Sequence, residues 1–391
     1  MVEISYRDER NIFTEKDVFK ESYQPDEIME RDEEIEQYVE HTEDALFGDQ
    51  PNNILVYGKT GVGKTVVTKE VMRIMSQESE NRDVDVDYLI VNCGHKPTSY
   101  QAVIGLVDKL RARRGLDSLN NGYGFADVMK MLYEEIERLE STVYIILDEI
   151  DYLGDDDKIL YEIPRASAND YVENSKVGLI GISNDYTYRQ NLSPKVKDTL
   201  QEREIHFPTY EAPELRTILN DRIEKGMDED AVGQGVVSKC SALAAKDTGS
   251  ARQAIDLLRE AGNVADQDGR EEITIDDIES AKYQVERGQL RDGISNLTDH
   301  GKYVLLSLAS AYEHSEEPQR LKQILSAYET VCEKNATDPL SEYRVRDHLS
   351  DLKMLGFVEK DKENKGMSGG RYYVYDITVD PEMIFEVVEN E

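Results

Sequence analysis

Cysteine is scarce. Cys93, Cys240 and Cys332 stand far apart in 391 residues, with no Cys-x-x-Cys pair and no histidine at ligand spacing. That excludes a disulfide framework and a structural zinc site, and it suits a reducing compartment. No apolar run approaches the roughly 18–20 residues that a bilayer-spanning helix needs, so a membrane span is excluded too. The opening residues Met1-Val2-Glu3-Ile4 lack a basic stretch followed by an apolar core, and the expectation is a cytoplasmic chain without a secretory leader. Internal repeats are also missing.

Basic residues are in the minority, 46 against 81 acidic ones, for a formal net charge of −35. Such a charge repels nucleic acid phosphates in dilute salt. Two readings follow. One is an acidic protein that simply avoids nucleic acid. The other is salt adaptation, in which molar salt shortens the screening length to about 3 Å and surface carboxylates keep the protein solvated.

Aromatics at 8% and clear apolar runs speak for a folded chain, with room for two or three domains at roughly 100–200 residues each. Residues 1–50 are polar and end in a helical pattern carrying Ile28, Ile35, Tyr38, Val39 and Leu46. Residues 51–210 alternate β-rich runs (53–58, 86–93, 143–148, 177–183 and 204–207) with helical stretches, the pattern of a parallel sheet wrapped by helices. Residues 211–290 read as helices only, at 215–225, 236–247, 250–264 and 275–287. A short linker is expected at 288–296. The remainder, 291–391, shows three helical patterns and then two β runs around the glycine-rich residues 366–370.

The strongest signal is Gly58-Lys59-Thr60-Gly61-Val62-Gly63-Lys64-Thr65. It completes G-x-x-x-x-G-K-[ST] between an apolar run, Ile54-Leu55-Val56-Tyr57, and a helical stretch that opens at Val66. Glycines let the backbone wrap phosphates, and the helix start supplies unpaired N–H groups and a positive dipole end. Lys64 then pairs with the β- and γ-phosphates, while the Thr65 hydroxyl ligates Mg²⁺.

Downstream, Val143-Tyr144-Ile145-Ile146-Leu147 runs into Asp148-Glu149, placing two acids at the carboxyl edge of the sheet. Asp148 is expected to hold Mg²⁺, and Glu149 to orient or deprotonate the attacking water. A further run, 177–183, ends at Asn184, whose amide reaches both the γ-phosphate and that water; a turn-forming asparagine accounts for it equally well. Together these features resemble the AAA+ ATPase core, with Asn184 in the position called sensor 1.

Gly249-Ser250-Ala251-Arg252 resembles the sensor 2 motif at the start of a helix, with Ser250 keeping an N-capping hydroxyl. Ala251, Ile255 and Leu258 are its expected apolar face, leaving Arg252 for the γ-phosphate. The last hundred residues resemble a winged helix. Residues 341–356 carry Val345, Leu349, Leu352 and Leu355 on one face, with Arg344, Arg346 and His348 towards others. Residues 357–360 and 371–377 are the expected wing, its tip flanked by Lys365 and Arg371. Residues 343–374 hold seven basic and five acidic residues, a net of +2. A basic outer face suits groove docking, and a winged helix used for protein contact is the competing reading.

The order of these motifs resembles the archaeal origin-recognition and cell-division-cycle-six initiator family. So do Tyr23-Gln24-Pro25 with Arg31, Val91-Asn92-Cys93, and Leu192-Ser193-Pro194-Lys195-Val196-Lys197. The resemblance implies an AAA+ P-loop sheet with a helical lid and a C-terminal winged helix. It also implies ATP or ADP with Mg²⁺ as cofactors, and nucleoid-associated work on double-stranded origin DNA. The replicative MCM helicase and sister initiator subunits are the implied partners, with no membrane. By the same resemblance Tyr23, Pro25 and Arg31 lie near the adenine. A DNA-contacting insertion falls at 111–125, with Arg113 and Arg114; a helix C-terminus satisfying its dipole is the equal alternative. Lys195 stands where relatives often carry an arginine that reaches a neighbour's γ-phosphate, which implies slow hydrolysis with ATP as a switch. A nucleotide-switched signalling or transcription ATPase is the alternative function.

Overall fold

The structure is a computed structural model describing residues 12–119, 122–228, 230–295, 297–315, 317–364 and 371–389. It forms two compact units that divide after Ile275.

In the first unit α1 (Asp32–Leu46) leads into β1 (Ile54–Gly58), α2 (Lys64–Glu80), β2 (Val86–Asn92), α3 (Ser99–Arg113) and α4 (Phe125–Glu137). Next come β3 (Thr142–Asp148), α5 (Lys158–Glu162), β4 (Lys176–Ser183), α6 (Tyr188–Asn191), α7 (Pro194–Leu200) and β5 (Arg203–Phe207). The five strands are parallel, in the order β2-β3-β4-β1-β5. Every residue of β1 and β3 is buried. Helices cover both faces of such a sheet, which is why these strands read as unbroken apolar runs rather than alternating ones. Each strand falls within one residue of its expected bounds. Three helices follow: α8 (Ala212–Gly226), α9 (Val236–Asp247) and α10 (Ala251–Gln267).

Two expected helix faces are corrected. On α1 the buried residues are Glu34, Tyr38, Thr42 and Ala45, while Val39 is 52% exposed. Hydrogen bonds fix this helix as much as apolar packing does. The Tyr38 hydroxyl meets Thr68 Oγ1 at 2.5 Å, and Thr42 Oγ1 donates to the Tyr38 carbonyl. On α10 the buried face is Ala254, Leu257, Leu258, Ala261 and Ala265. Ala251 and Ile255 instead line the cleft described below.

The second unit is built from α11 (Ile275–Ser295), α12 (Asp299–Ser315), β6 (Gln319–Arg320), α13 (Leu321–Lys334), α14 (Glu342–Met354), β7 (Val358–Asn364), β8 (Arg371–Ile377) and α15 (Pro381–Glu389). The expected linker at 288–296 is helical as far as Ser295. Leu290 and Ile294 are fully buried in this unit's core, and Gly293 leaves room for the Phe357 ring, which a Cβ would meet at 2.3 Å. That burial holds the helix through two glycines. Strands β7 and β8 pair antiparallel from Val358↔Ile377 to Asn364↔Arg371, so the first wing strand is longer than expected. Its alternating Glu359, Lys360, Asp361 and Lys362 carry no apolar signal. Strand β6 adds to the far edge of β8, and α15 buries Met383, Ile384 and Val387.

Candidate functional site

Three adjacent strands, β3, β4 and β1, bring their carboxyl ends together. The loop after β1 carries Lys59 to Gly63, the end of β3 carries Asp148, and β4 leads into Asn184. Here Gly61 and Gly63 have φ of +78° and +95°, a region open to glycine and strained for other residues. Gly63 caps α2 and no side chain caps it, which leaves the first N–H groups of the helix for an anion.

The Lys64 ammonium is buried. It donates to the carbonyls of Gly58 and Lys59 at 2.7 Å each, and to Asn184 Oδ1 at 2.8 Å. Burial lowers its pKa to about 8, against the pull of Asp148 and Asp151. Beside it, Thr65 Oγ1 donates to Asp148 Oδ2 at 3.0 Å. Burial raises the Asp148 pKa. Glu149 is raised by burial first and by the Asp148 charge second, and a hydrogen bond from Asn92 offsets part of this. Asp151 Oδ1 accepts from Ser183 Oγ and from the Asn184 amide, 3.0 Å each, and so aims the asparagine. The sequence alone gave neither Asn92 nor Asp151 a role.

The same cleft is lined on its other side by Tyr23, Pro25, Ile28, Ile218, Arg222 and Ile255. Ser250 caps α10 by accepting from Gln253 N, as its hydroxyl led one to expect. The Ala251 amide donates to the Gly61 carbonyl at 3.0 Å, joining α10 to the loop. Arg252 lines the cleft and pairs with Glu21 at 2.5 Å.

Arg31 is corrected. It does not line the cleft beside Tyr23 and Pro25; it is 2% exposed and sits beneath the loop. Its Nε donates to the Val62 carbonyl at 3.0 Å, its Nη2 to Pro208 O at 2.9 Å, and its guanidinium lies 3.6 Å from the Tyr210 ring centroid. With its donors engaged inside the protein it props the loop from behind, leaving no face for a base.

The residues present fit a nucleoside triphosphate with Mg²⁺. Two left-handed glycines, an uncapped helix start and a buried ammonium suit phosphates. Thr65 and Asp148 offer the two hard oxygens that a largely phosphate- and water-bound Mg²⁺ takes from a protein. Among the described residues no cluster of three His, Cys, Asp or Glu forms a metal cage, and such a site needs none.

The remaining candidates lie elsewhere. Arg113 pairs with Asp87, and Arg114 with Glu135 at 2.7 Å, while Arg111 Nε donates to the Asp117 carbonyl. These contacts tie the end of α3 to its own unit. Lys195, at the start of α7, lies 3.6 Å over the Tyr161 ring.

In the second unit, α14 buries Val345, Leu349 and Leu352 and exposes Tyr343, Arg344 and Arg346. Arg346 pairs with Glu342 at 2.7 Å and Arg344 with Asp347 at 4.0 Å. Such exposed intrahelical pairs are worth only about 0.3–0.5 kcal/mol, so a phosphate displaces them easily. Lys360 sits 4.3 Å from the Tyr373 ring on the neighbouring strand, a basic–aromatic pair that sequence reasoning missed. Arg371 opens β8 opposite Asn364, and Lys365 lies outside the described residues.

Family models match three stretches. Residues 48–183 match an AAA domain, 216–283 the Cdc6 AAA+ ATPase-type lid domain, and 292–387 the CDC6 C-terminal winged helix domain. The chain is 50% identical over 385 residues to ORC1-type DNA replication protein 8 of Halobacterium salinarum, covering 98% of this chain and 97% of that protein. It is 44% identical over 371 residues to ORC1-type DNA replication protein 15 of Haloarcula marismortui, covering 95% and 90%. Among solved structures, the Aeropyrum pernix ORC1 protein in complex with DNA matches with a TM-score of 0.81 at 31% identity, over 98% of each chain.

Proposed function

Because this chain belongs to the ORC1-type DNA replication protein family, we propose that it is an ATP-dependent initiator that binds chromosomal origin DNA and promotes loading of the MCM helicase. It works in the cytoplasm on the nucleoid, with sister initiator subunits as further partners. The observation that carries the nucleotide half of this reading is the meeting of Lys64 with Asn184 and of Thr65 with Asp148 across three adjacent strands.

When ATP enters, its phosphates replace the loop carbonyls and Asn184 as partners of the Lys64 ammonium. Thr65 and Asp148 are the residues that would hold a Mg²⁺, which would supply charge neutralisation for the phosphates. Arg252 exchanges Glu21 for the γ-phosphate and carries that signal into α10. Asn184 orients a water, and Glu149 takes its proton as the water oxygen bonds to phosphorus and the bond to the β-phosphate oxygen breaks, releasing ADP. A buried carboxylate with raised proton affinity suits that task.

Lys195 offers a point charge rather than a fork and rests on Tyr161, which supports slow hydrolysis and a switch rather than a motor. Within the winged helix, the exposed Arg344 and Arg346 are the groups that would meet DNA, with Arg371 and Lys365 as the basic residues the sequence adds at the wing.

Comparing phosphate release by the parent chain and Glu149→Gln tests the nucleotide reading. The parent turns over slowly, and the variant binds ATP while turnover falls by about 10²-fold or more. Equal turnover by both chains contradicts the assignment.

A further inference from the structure

The cleft contains a buried guanidinium with two N–H-bearing nitrogens left unpaired. Arg222, on α8, is only 9% exposed and lines the cleft. Its Nε and Nη1 have no hydrogen-bond partner. The neighbouring Asp221 carboxylate pulls on its charge but is ion-paired with Lys225 at 2.7 Å, and Asp256, which also lines the cleft, is paired with Arg259 at 3.0 Å. Its guanidinium carbon lies over the Tyr23 ring, 4.3 Å from the centroid, and the same tyrosine is its side-chain hydrogen-bond partner. Buried donors left unpaired are costly and rare in folded proteins, so such a group marks the place of an absent acceptor.

The acceptor's chemistry follows from the surroundings. Tyr23, Pro25, Ile28, Ile218 and Ile255 line the same cleft, aromatic and aliphatic surface that suits a flat heteroaromatic ring, while the carboxylates of Asp221 and Asp256 in that lining disfavour an anion beside Arg222. Phosphates are already provided for at the loop. We propose that Arg222 is a specificity-determining residue that donates to a ring nitrogen on the edge of the bound adenine, with Tyr23 holding the guanidinium beside the base. The assignment rests on the nucleotide reading above and adds the base contact to it. A buried donor discriminates because a base lacking the matching acceptor leaves it unpaired.

Equilibrium binding to the full chain tests the contact, with ATP, CTP and inorganic tripolyphosphate as probes and the parent, Arg222→Met and Arg222→Lys compared. ATP affinity falls at least about tenfold in both variants. Tripolyphosphate affinity stays unchanged, and the preference for ATP over CTP shrinks. The ligand-free melting temperature of Arg222→Met does not drop, since an uncompensated buried charge has been removed.

On the parent chain, at least one ATP analogue with a single ring nitrogen replaced by carbon binds about tenfold more weakly. That arm needs no variant to fold. Equal losses for ATP and tripolyphosphate, undiminished ATP binding by a folded variant, or no penalty for any ring analogue overturns the proposal. So does a loss that vanishes with 2′- or 3′-deoxy ATP, which places the contact on the ribose. A parent chain that binds neither ATP nor tripolyphosphate refutes the nucleotide reading itself, a separate result.

Discussion

The Lys64 ammonium and the Asn184 side chain, 120 residues apart in sequence, are joined by a 2.8 Å hydrogen bond because β1 and β4 lie side by side. The group that would hold the outer phosphates therefore touches the group that would aim the water. Lys64→Ala is expected to abolish the rise in melting temperature that ATP produces. Asn184→Ala is expected to keep most of that rise while lowering turnover about 10²-fold. Thermal melts with and without ATP, alongside phosphate release, separate the two.

Arg31 makes a second prediction, about stability rather than binding. Removing a buried guanidinium that serves the carbonyls of Glu30, Val62 and Pro208 and pairs with Glu34 is expected to cost about 3 kcal/mol or more. Arg31→Lys recovers only part of this, because a point charge cannot reach all of these carbonyls. Denaturant unfolding measures it, and an unchanged midpoint contradicts the role.

For the winged helix, Arg344→Ala and Arg346→Ala are each expected to weaken binding to an origin duplex. A base contact costs about 1–3 kcal/mol and relaxes preference at one position. A phosphate contact lowers affinity across sequences and reduces the salt slope by about one. Anisotropy titrations over a salt series distinguish these outcomes, and no loss for either variant removes α14 from the interface.

Salt supplies a fourth prediction. With a net charge of −35, self-repulsion weakens the fold in dilute buffer and is screened in molar salt. The melting temperature is expected to climb steeply from about 0.1 M to 2 M KCl. A flat profile leaves the acidity as simple avoidance of polyanions in dilute solution.

Much of the fold was legible in the sequence because buried parallel strands announce themselves as apolar runs. The polar residues Asp148 and Asn184 stood out because they come at the ends of two of those runs. Arg31 was misplaced because a sequence shows an arginine before a helix but not which way it turns; only the structure reveals Val62 O and Pro208 O beneath it. Arg222 was missed for a related reason, standing in a helix of alternating charges where nothing marks it as buried. The face of α1 was misread because Thr42 and Glu34 are polar yet buried, held by hydrogen bonds that hydropathy does not record. Strand β7 was cut short because its side chains are charged and its pairing with β8 supplies the order.

Mapping the occupancy of this chain on its own chromosome tests whether it marks replication origins. Binding concentrated at replication start sites, and lost in a chain carrying both Arg344→Ala and Arg346→Ala, is the predicted result. Occupancy spread over promoters with no enrichment where replication begins would contradict it.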